Sequence, residues 1–342
     1  MHEFYSLDPQ AQAERLAGLV AKALQKWQLT PASLSLIKFR ENAVFCATLA
    51  NGTRYAVRVH RPGYHDDDEL RSELQWMRAL DEYGFEVPRV LPDRSGALFN
   101  TVSHPEVPEA RQVDVFDWVN GRQLGSVEAS NDDGTTAAED LVRAFRIAGT
   151  LAAKLHNHAS QWVLPPGFKR HAWDCDGLVG EQPFWGRFWE LEALDEPQRK
   201  LVLAARDRLR ADLAVLDRSS SSYGLIHADF APENLLIDGD RVRLLDFDDA
   251  GFGWHMFEIA TSLFFYRQHP SYRALQDALI AGYRDERALA TGALAQLPML
   301  TAARGFTYLG WVHTRRETET ARELTPQLIE MACDAAQEYL GQ

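Results

Sequence analysis

One stretch of this chain restricts its fold more than any other. It is Ile226-His227-Ala228-Asp229-Phe230-Ala231-Pro232-Glu233-Asn234, followed a short way on by Asp246-Phe247-Asp248. Between the two lie Leu235-Leu236-Ile237, then Asp238-Gly239, then Arg241 to Leu245. Two short apolar runs about an Asp-Gly step read as a β-hairpin with a tight turn. A hairpin folds the chain back on itself, so Asn234 and Asp246 meet at its open end. Asp229 lies in the loop that enters the hairpin. Any fold compatible with this pattern brings a carboxylate, an amide and a second carboxylate to one edge.

That trio has a chemistry. Four residues separate Asp229 from Asn234, the spacing of the kinase catalytic loop, in which the Asp receives the proton of the attacking hydroxyl and the Asn holds magnesium. In-line phosphoryl transfer needs metal-binding oxygens on one side and a base beside the hydroxyl. Asp229 is therefore the candidate catalytic residue, and Asn234 and Asp246 are the candidate Mg²⁺ ligands, hard oxygen donors that suit this ion. Asp248 is a second carboxylate whose role stays open, with Asp249 directly after it. His227 reads as a residue that holds the loop through hydrogen bonds, with proton transfer the alternative.

The rest of the chain supplies two contrasting textures. Ala11 to Trp27 is an amphipathic helix pattern; Leu34–Phe39, Val44–Leu49 and Arg54–His60 read as strands, with Asn51-Gly52 turning the second into the third. Asp67 to Tyr83 reads as a helix stopped by Gly84, its acidic start favoured by the helix dipole. Val87–Val90, Gly96–Val102 and Val113–Val119 are further strands. Past Gly121 come a polar loop, Ser126 to Ala138, and helices over Glu139–His156, Phe184–Leu194 and Pro197–Leu216. From His255 on, the chain is mainly helical. The expected fold class is α+β: a small antiparallel-sheet lobe with one inserted helix, residues 1–119, and a larger, mainly helical lobe, residues 120–342, with nucleotide in the cleft between them.

Composition removes several function classes. The net charge of −13 argues against general nucleic-acid binding, which wants a basic surface. No apolar stretch approaches the length of a membrane span. Residues 1–10 lack a signal-peptide pattern, and three scattered cysteines imply neither a disulfide framework nor a metal knuckle. A cytoplasmic location is expected.

With these residues in view, the chain resembles the aminoglycoside phosphotransferase and choline kinase superfamily, which shares the bilobal protein-kinase-like fold. Within it the chain is most similar to the bacterial branch of homoserine kinase type II and stress-response serine/threonine kinases. Tyr55-Ala56-Val57-Arg58-Val59-His60-Arg61-Pro62-Gly63-Tyr64, Leu155-His156-Asn157-His158 and Trp173-Asp174-Cys175-Asp176-Gly177-Leu178-Val179-Gly180 carry the likeness beside the catalytic motif.

The resemblance implies further roles. Protein kinases pair a third-strand Lys with a Glu on the next helix to hold the nucleotide phosphates. Here the strand offers Arg58. Glu73 lies on the apolar face of the following helix, where a carboxylate needs a cation. Arg58 thus reads either as a phosphate ligand or as a structural partner for Glu73. Phe116-Asp117-Trp118-Val119 resembles the adenine-binding hinge, placing Asp117 and Val119 beside the nucleotide. Arg40-Glu41-Asn42-Ala43 stands where protein kinases carry a glycine-rich loop. Glu258 stands where the family more often has the Asp that braces the catalytic loop. Trp173, Asp174 and Trp185 either line the acceptor side of the cleft or pack. His156 and His158 point apart on a helix and make no metal site. The expected function is transfer of the γ-phosphate of ATP, with Mg²⁺, to a hydroxyl of a small acceptor: an amino acid such as homoserine, an aminoglycoside or an amino-alcohol. The alternatives are a protein serine/threonine kinase and a non-catalytic nucleotide-binding protein. Only about seven residues separate Asp246 from Trp254, which leaves little room for a peptide-docking activation segment.

Overall fold

Capping chemistry and strand alternation account for the first part of the chain. The structure is a computed structural model and describes residues 3–39, 42–124, 138–238, 241–290 and 292–341. Helix α1 (Pro9–Leu24) starts at Asp8, whose side chain accepts the Ala11 N–H, with proline in the first turn. Strands β1 (Pro31–Phe39), β2 (Ala43–Leu49) and β3 (Arg54–Val59) follow, then α2 (Asp67–Glu82), β4 (Phe99–Val102) and β5 (Arg111–Asp117). The five strands form one antiparallel sheet in the order β1-β2-β3-β5-β4. Leu19 and Val20 of α1 share a core with Phe45, Val57, Val59, Val113 and Val115 of the sheet. Alternation along β3 therefore sends Arg58 to the opposite face. A reciprocal capping box, Asp66 with Glu69, begins α2, and Gly84 (φ 88°) takes the left-handed conformation just after it.

These elements belong to one compact unit, Met1–Asn120 with Leu164–Lys169. The Lys169 N–H donates to Ser72 Oγ of α2, and its ammonium pairs with Asp66 and Glu69. The strand expected over Val87–Val90 is absent. Only an isolated bridge joins Val90 to Phe116, because Pro88 cannot donate to a ladder.

The second unit is Gly121–Val163 with Arg170–Gln342. Its elements are β6 (Arg122–Gln123), α3 (Ala138–Gln161), β7 (Ala172–Trp173), α4 (Cys175–Val179), α5 (Glu196–Ala214), β8 (Tyr223–Ile226), β9 (Leu235–Asp238), β10 (Arg241–Leu244), β11 (Gly251–Trp254), α6 (His255–Phe264), α7 (Tyr272–Glu286), α8 (Leu297–Thr314) and α9 (Glu319–Leu340). Two small sheets, β10-β9-β6 and β7-β11-β8, sit among the helices. Helices α3 and α7 touch backbone to backbone: a Cβ at Gly149 would stand 1.9 Å from Leu279 O, and one at Gly282 1.9 Å from Arg146 O. All ten residues of α6 are buried. None of the described helices is long and apolar enough to cross a membrane.

The helix expected over Phe184–Leu194 is instead a loop with a single 3₁₀ turn, Phe188–Glu190. Pro183 precedes it and Gly186 (φ 107°) breaks it. The strands of the predicted hairpin are β9 and β10, in antiparallel register from Leu235↔Leu244 to Asp238↔Arg241. The turn at Gly239, the polar loop up to residue 137, and Arg40 and Glu41 lie outside the described residues.

Candidate active site

In the second unit, two hydrogen bonds lace the loop before β9 to the segment after β10. The Leu245 N–H donates to Asn234 O at 2.8 Å, and His227 Nε2 donates to Leu245 O at 2.8 Å. The hairpin thus brings Asp229, Asn234 and Asp246 to one edge. His227 Nδ1 accepts the Asp229 N–H at 3.3 Å, so its ring clamps both sides of the turn. It is fully buried, in keeping with a holding role.

The Asn234 amide is fixed in one orientation. Its Nδ2 donates to Asp229 Oδ2 at 2.7 Å and to Asp229 O at 2.9 Å. That commits the nitrogen to Asp229 and leaves Oδ1 as the oxygen donor. Asp246 is exposed. Among the described residues no three His, Cys, Asp or Glu side chains gather to hold a metal. Two protein oxygens, one from Asn234 and one from Asp246, suit Mg²⁺, which keeps several waters and phosphate oxygens in its shell.

Two residues of this edge have left-handed backbone, Ala228 (φ 63°) and Asp246 (φ 61°). For alanine that conformation is a strain, and buried charges hold it. Glu258 of α6 accepts the N–H of His227 at 2.7 Å and of Ala228 at 2.8 Å. Arg304 of α8 donates to Ala228 O at 3.0 Å. The extra methylene of Glu258 is therefore no obstacle to bracing. Burial pushes the Glu258 carboxyl up to about 7, against the opposing pull of His227, the two amides and Arg304.

Arg304 went unread in the sequence. Its Nη2 meets Asp229 Oδ1 at 2.5 Å and donates to the Tyr308 hydroxyl at 2.7 Å. The guanidinium is fully buried, 4.1 Å from the ring centre of Tyr308 and 4.9 Å from that of Trp185. Burial alone would pull its pKa down; Tyr308 and Asp229 outweigh that and hold it above the ordinary arginine value. The available signal was a lone cation within the apolar run Leu297–Val312.

A second unread arginine shapes the loop that follows Asp246. Arg170 donates through Nε to Ala250 O at 2.5 Å and through Nη2 to Asp248 O. His171 Nε2 and Trp173 Nε1 donate to Asp249 O at 3.1 and 2.8 Å. Three near-consecutive residues thus grip the carbonyls of Asp248, Asp249 and Ala250. Trp173 has no exposed surface and packs edge-on against Trp185. Asp174 caps α4 by accepting the N–H groups of Asp176 and Gly177. Trp185 donates to Asp249 Oδ1 at 3.2 Å, and Asp248 is buried.

In the first unit, Arg58 meets Glu73 at 2.7 Å, the pairing expected from the apolar face of α2. A further carboxylate, Asp114, stands directly across from Arg58 in the β3–β5 register. Arg58 binds it with two nitrogens, Nε at 3.2 Å and Nη2 at 2.7 Å. His60 Nε2 lies 2.9 Å from Asp114 Oδ2. Burial acts to raise the Asp114 carboxyl, but Arg58 and His60 prevail and hold it at about 2. Asp117 ends β5, its N–H bonded to Arg89 O, and Val119 follows two residues on, half-buried.

The sequence pattern of the phosphotransferase enzyme family matches residues 33–297. The structure of a microcompartment-associated aminopropanol kinase is 30% identical and superposes with a TM-score of 0.82, covering 95% of this chain and 98% of that one. The homoserine kinase of Sinorhizobium fredii is 29% identical over 78% of this chain and 73% of its own length. The amicoumacin kinase hAmiN, solved with AMP-PNP, Ca²⁺ and Ami, shares the fold at a TM-score of 0.74 and 22% identity, covering 99% and 96% of the two chains. The chain belongs to the phosphotransferase enzyme family. It is a kinase acting on hydroxyl groups of small molecules, with the α+β fold of the aminoglycoside phosphotransferases.

Proposed function

We propose that the protein transfers the γ-phosphate of ATP, with Mg²⁺, to the hydroxyl of a small amino-alcohol. The observation that carries this reading is the edge at which Asp229, Asn234 and Asp246 meet, laced by the Leu245–Asn234 bond. Asp229 orients the acceptor hydroxyl and takes up its proton. Asn234 and Asp246 hold Mg²⁺, which neutralises charge on the transferring group. Residues 1–119 supply the nucleotide contacts: Arg58, paired with Glu73, toward the phosphates, and the backbone of Asp117 and Val119 toward adenine. Residues 120–342 supply the chemistry and the acceptor contacts.

The amine on the acceptor follows from how the nearby cations are used. Arg304 is committed to Asp229, Ala228 O and Tyr308, and Arg170 to three main-chain carbonyls. With Asp229 and Asp246 given to the base and Mg²⁺ roles, Asp249 adds a further carboxylate on the same loop, where it accepts from Trp185. An ammonium is welcome in such surroundings, whereas the carboxylate of an amino-acid acceptor gains nothing from two arginines already in use. The likeness to an aminopropanol kinase supports the same choice.

The test is ATP consumption over a panel of amino-alcohols, homoserine and aminoglycosides, with the product identified by mass. An amino-alcohol is expected to stimulate turnover most, and Asp229→Ala to lower kcat by at least about 100-fold. If no small hydroxyl compound stimulates turnover, the reading fails. If homoserine is preferred, only the acceptor class fails.

A further inference from the structure

Arg304 is tied to the candidate base more closely than counter-charge alone requires. The ion pair is lopsided: the arginine side chain has no exposed surface, and the Asp229 side chain keeps 17%. One guanidinium serves three acceptors, and two of them belong to consecutive residues of the catalytic loop, Ala228 O and Asp229 Oδ1. The third, the Tyr308 hydroxyl, lies on the same helix and fixes the guanidinium from behind. Trp185 and Tyr308 flank it with their rings. On the far side, Asn234 holds Asp229 Oδ2 at 2.7 Å. Each oxygen of the Asp229 carboxylate therefore has its own protein donor. The plane of the group is restrained from both sides, and its 17% exposed surface leaves it open to an incoming hydroxyl.

On the kinase reading above, we propose that Arg304 is a positioning residue of the transfer step: it fixes the plane of the Asp229 carboxylate and the strained Ala228 backbone, touching neither substrate. In that step the acceptor oxygen bonds to the γ-phosphorus. The bond from that phosphorus to the β–γ bridging oxygen breaks, with its electron pair leaving on ADP. The hydroxyl proton passes to Asp229 and then to water. A carboxylate already paired with a buried cation serves best as a fixed hydrogen-bond acceptor that takes the proton late, when the hydroxyl oxygen has lost charge to phosphorus. Arg304 therefore acts on turnover and leaves substrate affinity alone.

Arg304→Met keeps an unbranched apolar stem in the buried space and removes the charge and all three bonds. Steady-state kinetics, run well below the unfolding midpoint, are expected to show kcat down by about 100-fold, with the KM of acceptor and nucleotide within about threefold of the parent. Arg304→Lys restores one of the three bonds and is expected to recover about tenfold of that loss. Thermal unfolding reads the pair independently. Asp229→Asn leaves a buried cation unpaired and lowers the midpoint, and Arg304→Met together with Asp229→Asn restores part of it. The proposal is overturned if Arg304→Met and Arg304→Lys both keep kcat within about threefold of the parent, or if acceptor KM rises with kcat unchanged, the sign of direct acceptor contact. A parent enzyme with no acceptor-dependent turnover overturns the kinase reading and this proposal together; an active parent with an indifferent Arg304 overturns this proposal alone.

Discussion

At the scale of single residues, Glu258 sets burial against hydrogen bonding. Its fully buried carboxylate accepts two amide hydrogens from the loop that contains Asp229. These favour the charged form; burial opposes it and raises the group from 4.5 to about 7. An acid raised on folding gives stability that is fully present below its unfolded pKa and lost as pH rises through its folded one. The window therefore runs from about 4.5 to about 7, and the contribution is on the order of 3 kcal/mol. The neighbouring His156 and His255 work in the opposite sense. Burial drops both below the ordinary histidine range, so their contribution is lost as pH falls. Glu258→Gln isolates the acid. Denaturation midpoints measured between pH 4.5 and 7.5 are expected to show the parent losing stability relative to this variant as pH rises. Parallel profiles would exclude the proton on Glu258.

At the scale of elements, close backbone approach fixes the α3–α7 crossing. Gly149 and Gly282 each face a carbonyl oxygen of the partner helix, so no side chain separates the two. Gly282→Ala forces the helices apart along their whole contact and is expected to cost about 3 kcal/mol, the upper range for overpacking; a chemical denaturation curve checks it. A shift under about 0.5 kcal/mol would mean that the helices part freely.

The elements also show what the sequence could and could not reveal. β9 and β10 were legible because an Asp-Gly step separates two apolar runs of matching length. α2 was legible because an acidic cap precedes a helical stripe and a glycine follows it. Val87–Val90 misled because Pro88 was outweighed by its apolar neighbours, and Phe184–Leu194 misled because aromatic packing imitates helical spacing. That Asp229 and Asn234 meet the segment of Asp246 was legible through local spacing. Arg304, Asp114 and Arg170 were not, since each meets a partner across 56 to 80 residues of chain. A lone charge in an apolar element announces that a partner exists. It does not say which one.

At the scale of the whole molecule, a net charge of −13 sets a field that both substrates meet before any contact. A cationic acceptor, as proposed above, would be drawn in; an anionic nucleotide would not. Raising ionic strength from about 0.01 to about 0.15 M is expected to lower kcat/KM for the acceptor several-fold and to leave that for nucleotide level or higher. Stopped-flow or initial-rate measurements at fixed pH check the sign. The opposite pattern would point to an acidic or neutral acceptor.

The chain leaves its first unit at residue 120, re-enters at 164 and leaves again after 169. Lys169, the last residue of that visit, is fastened to the start of α2; Arg170, the next, grips the carbonyls beyond Asp246. Neither unit is thus a contiguous piece of gene. A fragment ending at residue 120 lacks the six residues that clasp α2, and a fragment beginning at 121 carries them with nothing to clasp. Such an interleaved design cannot be traded between genes as a cassette.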